Sequence, residues 1–251
     1  MNSHDIAQGV IPPGIQVRNL TLRYGSRTVF ERLNLDIAGG QFAALLGTSG
    51  VGKTSLLKIV AGLAQPTSGK VIGSDGLPIQ GRVAYMGQKD LLYPWLTVSE
   101  NITLASRMRG LKPEKEWAEE LTQRVGLSGY GNSLPAALSG GMRQRVALAR
   151  TLYQRQPIVL MDEPFSALDA LTRTSIQTLA SELLTGHTVL LITHDPMEAC
   201  RLSHQLLVLS ASPAAIDDSH QIAGSPPRAP DDRHLLQSQG ELMRQLLRAA
   251  G

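Results

Sequence analysis

Phe42-Ala-Ala-Leu-Leu-Gly47-Thr-Ser-Gly-Val-Gly-Lys-Thr54 decides how this chain is read. Its first five residues are continuously apolar and stop at a glycine, which suits a strand buried on both faces. From Thr54 to Gly62 the spacing becomes helical, with Leu56, Leu57, Val60 and Ala61 on one face and Gly62 as a stop. The turn between them fits the G-x-x-x-x-G-K-[ST] pattern in the strand–turn–helix context that the pattern requires. Gly47, Thr48, Ser49, Gly50, Val51 and Gly52 form a loop whose backbone can curl, so that successive N–H groups point inward at phosphate oxygens. The following helix adds the positive end of its dipole. Lys53 supplies a mobile point charge for the β- and γ-phosphates, and the Thr54 hydroxyl is placed to bind Mg²⁺, with Ser55 behind it. A glycine loop serving only as a tight turn needs neither Lys53 nor Thr54. A nucleoside triphosphate and Mg²⁺ are the expected ligands.

A second apolar run, Ile158-Val-Leu-Met-Asp162-Glu163-Pro164, carries two acids at its end. In an open α/β sheet the carboxyl ends of the strands are where ligands bind. Asp162 is expected to hold Mg²⁺, and Glu163 to face the γ-phosphate and polarise the attacking water. Thr188 to Ile192 and Leu206 to Leu209 read as further buried strands; residues 15–24 and 33–37 alternate in part, as exposed strands do. Residues 99–128, 139–155 and 170–185 read as helical. Strands alternating with helices predict an α/β fold with a mainly parallel core sheet.

Composition narrows the class. Of 251 residues, 42% are hydrophobic and 18% charged, as in a globular protein, and no apolar run approaches the ~18–20 residues that cross a bilayer. The N-terminal stretch lacks the basic and apolar regions of a secretory signal, so residues 1–14 read as a flexible tail ending in Pro12-Pro13-Gly14. The lone Cys200 reads as a small buried apolar residue. A net charge of +3 on scattered Lys and Arg gives no reason to expect nucleic acid as a partner. Residues 211–232, rich in Pro, Ser, Asp and Gly, read as a linker or an irregular strand. A last helix follows with Leu235, Leu236, Leu242, Met243, Leu246 and Leu247 on one stripe, for packing on the parent domain or for a dimer contact.

Phosphate loops of this kind occur in many enzymes. Leu138-Ser139-Gly140-Gly141-Met142-Arg143-Gln144-Arg145 singles out one group: it resembles the ABC signature motif, usually ending LSGGQ, with Met142 in place of the Gln and with Ser139 able to cap the helix it opens. The other motifs of that family follow in order. Tyr24 matches the aromatic that stacks on adenine, Gln88 the Q-loop glutamine, Ser166-Ala-Leu-Asp169 the D-loop, and His194 the switch histidine. Taken alone, Tyr24 or His194 could equally be an ordinary core or surface residue. The resemblance covers about residues 15–210. It implies a P-loop NTPase of the ABC ATPase type over 15–212, with N-terminal antiparallel strands, a mainly parallel core sheet and an inserted helical subdomain at about 89–153; residues 213–251 then form a linker and C-terminal helix. It also implies a role for each matched residue: Glu163, His194 and Gln88 catalytic; Tyr24, Ser139, Gly140, Gly141 and Asp169 at the nucleotide together with the phosphate loop; Thr54, Asp162 and Gln88 at Mg²⁺. Two chains are expected to close head to tail around two ATP and to drive an integral membrane permease from its cytoplasmic face, served indirectly by a solute-binding protein.

Gln88-Lys-Asp-Leu-Leu-Tyr-Pro-Trp95 is similar to the stretch after the Q-loop in nitrate, sulfonate and taurine importers, and the surroundings of the phosphate loop and signature look most like the ATPases of importers for hydroxymethylpyrimidine, a thiamine precursor. That precursor is the expected cargo, with taurine, alkanesulfonates or nitrate as the alternative, and an exporter ATPase or an ABC ATPase outside transport as further rivals. Trp95 is read either as an apolar anchor for the permease's coupling helix or as ordinary core.

Overall fold

The computed structural model describes residues 11–210 and 213–250. A three-stranded antiparallel sheet, ordered β2-β1-β4, is built from β1 (Ile15–Tyr24), β2 (Arg27–Ile37) and β4 (Ser68–Gly73). A six-stranded sheet is ordered β5-β6-β7-β3-β8-β9, from β3 (Phe42–Gly47), β5 (Val83–Met86), β6 (Ile158–Asp162), β7 (Thr188–Ile192), β8 (Gln205–Ser210) and β9 (Ala215–Gln221). Its first five members are parallel and β9 is antiparallel. Every residue of β6, β7 and β8 is buried, which is why their sequences read as unbroken apolar runs.

Both faces of the large sheet are covered. On one side the antiparallel sheet and α1 (Lys53–Val60) pack Leu20, Phe30, Leu56 and Leu57 against Leu45, Leu160 and Leu190. On the other lie α5 (Gly140–Tyr153) and α6 (Ala170–Leu183), with α7 (Pro196–Leu202) and α8 (Arg233–Ala250) near β8. The only partial alternation of β1 has a local cause: Asn19 sits at φ 49 in a bulge that shifts the register between Val17 and Leu20, so that Leu20, Thr21 and Leu22 are buried in succession.

Three expectations change. The helical stretch over 99–128 is three helices, α2 (Val98–Ile102), α3 (Leu104–Met108) and α4 (Lys115–Arg124). Gly110 at φ 68 and Pro113 end α3 and delay α4. The stretch read as a linker or an irregular strand is a strand at its start: β9 completes the sheet by pairing with β8, its polar residues tolerated because it lies at the edge. The expected loose tail lies outside the described residues up to residue 10, and Pro12, Pro13 and Gly14 are buried. There the Thr188 hydroxyl donates to the Pro13 carbonyl at 2.9 Å and the Gly14 N–H donates to Ser74 Oγ at 2.8 Å.

The C-terminal helix packs on its own domain through Leu235 and Leu242, both buried. Arg228, 3% exposed, secures the chain leading to it by donating to the carbonyls of Cys200, Ser203, Ile222, Ala223 and Gly224. Cys200 is buried, as expected, and burial pushes its thiol up to about 11. Among the described residues no helix is long and apolar enough to cross a membrane.

Candidate active site

The phosphate loop leaves the carboxyl end of β3, between β7 and β8. Two of its glycines are obligatory. Gly47 at φ 150 would place a Cβ 2.3 Å from the Leu209 carbonyl, and Gly52 at φ 115 would place one 2.7 Å from Val29 Cγ1. Gly52 also caps α1, so the helix N-terminus opens directly onto the loop. Lys53 Nζ reaches back to donate to the carbonyls of Gly47 (2.7 Å) and Thr48 (3.0 Å), in the position a phosphate-binding ammonium needs. Burial pulls its pKa down, against the pull of Glu163 and Asp162. Thr54 Oγ1 donates to Asp162 Oδ2 at 2.8 Å, which joins the loop to the end of β6. Asp162 is 2% exposed, and burial raises its carboxyl above the usual range although Thr54, Lys53 and Lys58 oppose that shift.

Glu163 follows at φ 49, a backbone conformation that a non-glycine residue holds only under constraint. The constraint is visible. Its N–H donates to the Ile192 carbonyl at 2.9 Å, and its own carbonyl accepts from Ser166 Oγ (3.0 Å) and Gln144 Nε2 (3.1 Å). This turns the side chain toward two other expected residues: Gln88 Nε2 donates to Glu163 Oε2 at 3.2 Å, and His194 Nδ1 lies 3.3 Å from Glu163 Oε1. Lys53, Thr54, Asp162, Glu163, Gln88 and His194 are thus linked at one end of the sheet. His194 is mostly exposed and Glu163 partly so, as residues that meet a ligand must be.

Tyr24 stands nearby, 59% exposed at the tip of β1, in the hairpin whose Arg27 donates to the Gly50 carbonyl at 3.2 Å. Ser139 caps α5 by accepting from the Met142 N–H at 3.2 Å. Ser139 and Gly140 are exposed, and among the described residues no hydrogen bond joins residues 139–141 to residues 47–55. They adjoin instead the segment Ser166–Asp169: a Cβ on Gly141 would sit 3.2 Å from the Ala167 carbonyl. Asp169 is exposed and caps α6 by accepting from the Thr172 N–H at 3.0 Å, a bond that lowers its pKa. Trp95 is 69% exposed, which rules out the core alternative.

Several site residues escaped the sequence reading. Gln144, buried on α5, bonds to Glu163 O, Ser166 Oγ (3.3 Å) and the Ala167 N–H (2.8 Å), tying the helix that opens at Ser139 to the turn after β6. Arg143 bonds to Asp90 Oδ2 at 3.0 Å, and Arg150 donates to the carbonyls of Asp90 (2.6 Å) and Leu91 (2.8 Å), clamping the segment after Gln88. Asn101, fully buried, accepts from the Tyr93 N–H (2.8 Å) and donates to the carbonyls of Tyr93, Leu96 and Thr97, so the loop bearing Trp95 is held in one shape. Gln144 stands within the quoted signature stretch, but nothing in sequence says which way it faces.

A family model described as ABC transporter matches residues 30–166. The aliphatic sulfonates import ATP-binding protein SsuB 2 of Pseudomonas syringae pv. tomato is 43% identical over 228 residues, spanning 90% of this chain and 95% of that protein. An uncharacterized ABC transporter ATP-binding protein of Haemophilus influenzae is 41% identical over 242 residues, 92% of this chain and 98% of that one. Among solved structures, the dimeric post-hydrolysis state of an ATP-binding cassette bound to ADP and Pi has a TM-score of 0.74 and 30% identity, covering 84% of this chain and 99% of that one. None of these three carries the name of a hydroxymethylpyrimidine importer, and the sulfonate alternative is the one they favour.

Proposed function

We propose, for a chain that belongs to the ABC transporter ATP-binding family, that the cluster around Glu163 is the hydrolytic site of an importer's energising subunit and that the cargo is an aliphatic sulfonate. The chain binds and hydrolyses ATP as its family does. The observation that carries the site reading is the convergence of Gln88 and His194 on the two carboxylate oxygens of Glu163, beside the Thr54–Asp162 pair.

In this reading Lys53 and the loop N–H groups hold the β- and γ-phosphates. The donor set fits Mg²⁺: a hydroxyl, a buried carboxylate with no full counter-ion, and an amide oxygen are hard ligands, few enough for a cation that keeps water and phosphate in its shell. Thr54, Asp162 and Gln88 would hold it, and when bound it neutralises phosphate charge. Glu163 accepts the proton of the attacking water, while Gln88 and His194 hold its carboxylate in place and sense the γ-phosphate. Tyr24 offers its exposed ring to adenine.

Ser139, Gly140 and Gly141, which among the described residues make no hydrogen bond to their own loop, serve the nucleotide of a second chain, so the active form is a head-to-tail dimer. Light scattering tests this: Glu163→Gln should bind ATP and run as a dimer, whereas a monomer at saturating ATP would sink the composite-site reading.

The permease contact is the loop carrying Leu91, Tyr93 and Trp95, all exposed. Tyr93 stacks edge-on against Trp95 at 5.4 Å, on the loop that Asn101 fixes, giving an apolar coupling helix a preformed seat. The subunit then works at the cytoplasmic face of the membrane, held there by the permease, with a solute-binding protein delivering cargo on the far side. Kinship supports the sulfonate, since the ATPase itself does not touch cargo. Deleting the gene should abolish uptake of a labelled alkanesulfonate, restored by wild type and not by Glu163→Gln. Normal sulfonate uptake with lost uptake of taurine, nitrate or hydroxymethylpyrimidine would reassign the cargo.

A further inference from the structure

Between α6 and α7 lies a set of buried polar side chains that the chemistry above does not use. Glu198, in the first turn of α7, is 5% exposed; Gln177 on α6 is 4% and Arg201 on α7 is 6%. Gln177 Nε2 donates to Glu198 Oε2 at 2.9 Å, and Gln177 Oε1 accepts from Arg201 Nη1 at 2.9 Å. Arg201 Nη2 continues to Thr178 Oγ1 at 2.8 Å. Thr193 borders the same small cleft as Glu198, and its side chain works against the rise of the Glu198 carboxyl. Burial pushes the Glu198 carboxyl up to about 7, with Asp195 adding to the rise and Thr193, Gln177 and Arg173 opposing it. Two helices meeting inside a protein pack more cheaply through apolar residues. The polar network, in which Arg201 Nε alone of that guanidinium's nitrogens has no partner, gives them instead one fixed relative position.

What the network joins gives it a role. Thr193 immediately precedes His194, and α7 begins two residues later. α6 begins at the Asp169 cap, the end of the D-loop, and Arg173 on its first turns donates to the Leu168 carbonyl of that loop at 2.7 Å. A cleft of about 50 Å³ has Glu163, His194, Thr193 and Glu198 in its lining, so the carboxyl borders the same space as the catalytic pair.

We propose that Glu198 is a positioning residue for ATP hydrolysis: through Thr193 and Gln177 it fixes His194 relative to α6 and the D-loop. The residue that senses one nucleotide then moves with the segment that adjoins the partner chain's site. This rests on the γ-phosphate role proposed for His194.

Steady-state ATPase kinetics on the full chain test it, with thermal melts as a check on folding. His194→Ala should lower kcat by about tenfold or more, and Glu198→Ala by roughly fivefold or more with KM for ATP within about twofold, since the phosphate loop is untouched. Glu198→Gln, which keeps an acceptor for Gln177, should return kcat to within about twofold of wild type. Glu198→Ala added to His194→Ala should cost no more than about twofold further, because residues acting as a unit are not additive. Should Glu198→Ala fail to fold, Gln177→Met takes its place with the same expectations. Losses that multiply in the double variant, or a KM that rises as far as kcat falls, overturn the positioning role and leave His194 standing. An undiminished His194→Ala overturns the His194 reading and this proposal together.

Discussion

Gln144→Leu tests whether the signature helix fixes the catalytic glutamate. Leucine has similar volume and helix propensity, so the change removes polar contacts and little else. Three hydrogen bonds are lost: to the Glu163 carbonyl, to Ser166 Oγ and from the Ala167 N–H. Each contributes about 1 kcal/mol net. Ser166 and Ala167 are exposed, so water replaces part of the loss, and the Glu163 carbonyl keeps Ser166 Oγ. The discounted total is about 2 kcal/mol, which in a chain of this size lowers Tm by ~4–8 °C. Catalysis should suffer more than stability. Glu163 holds its φ of 49 only because its carbonyl and N–H are pinned, and a small displacement of a catalytic group costs roughly tenfold to a hundredfold in kcat. KM for ATP should move less than about twofold, as Lys53 and its loop lie on another element. Calorimetry and initial-rate ATPase assays give both numbers. A variant melting within about 2 °C of wild type, with kcat within about twofold, would show that Gln144 is a passive helix residue.

Four further outcomes follow from the site. Asp162→Asn should raise the Tm of the nucleotide-free protein at pH 8 while abolishing ATPase activity. The folded carboxyl is raised above its unfolded value, so its stability penalty is fully present at neutral and alkaline pH and fades as pH falls toward the unfolded pKa; melts across pH that show the variant less stable at pH 8 refute this. Lys53→Ala should weaken ATP binding about tenfold or more, near 1.4 kcal/mol by calorimetric titration, and unchanged affinity would strip Lys53 of its role. Met142→Gln should leave or raise ATPase activity, because the side chain is only partly buried and the swap nearly conserves volume; a large loss would reveal a specific task for the methionine. Trp95→Ala should change the Tm little and leave the free subunit's ATPase intact while cutting transport in reconstituted vesicles, and full transport would move the permease contact elsewhere.

The sequence announced the site's residues better than its wiring. A triphosphate needs a curled loop, an ammonium and a hydroxyl in fixed order, so Gly47 to Thr54 could be read from residue types alone, and the buried strands of the large sheet showed as unbroken apolar runs. Strand β4 showed no such sign: its Ser-Gly-Lys start and half-exposed faces carry neither alternation nor an apolar run, and it exists because β1 offers it a partner edge. Strand β9 showed only as the irregular-strand alternative, because a polar sequence suits a sheet edge and gives no apolar run to read. The contacts of Gln144, Arg143 and Arg150 were illegible for another reason. A polar residue within a helix reads as solvated surface until its facing partner is known, and here the partners lie more than 15 residues away in the chain.

In the proposed head-to-tail dimer, those contacts would let a site divided between two chains act as one. Ser139 and Gly140 are exposed and, among the described residues, make no hydrogen bond to their own phosphate loop, but the helix they open is bound at three levels to the chain's own machinery: Gln144 to the Glu163 carbonyl, Arg143 to Asp90, and Arg150 to the backbone just after Gln88. Glu163 is in turn held through its N–H by β7, the strand that leads to His194. In the proposed dimer, a pull on Ser139 by a second chain's nucleotide would pass along α5 to Glu163 and Gln88 and to the loop carrying Tyr93 and Trp95. A lobe joined to the core by apolar packing alone could slide without consequence for Glu163. One joined through the carbonyl of a strained residue cannot, because any shift must either carry Glu163 along or break the bonds that hold it at φ 49.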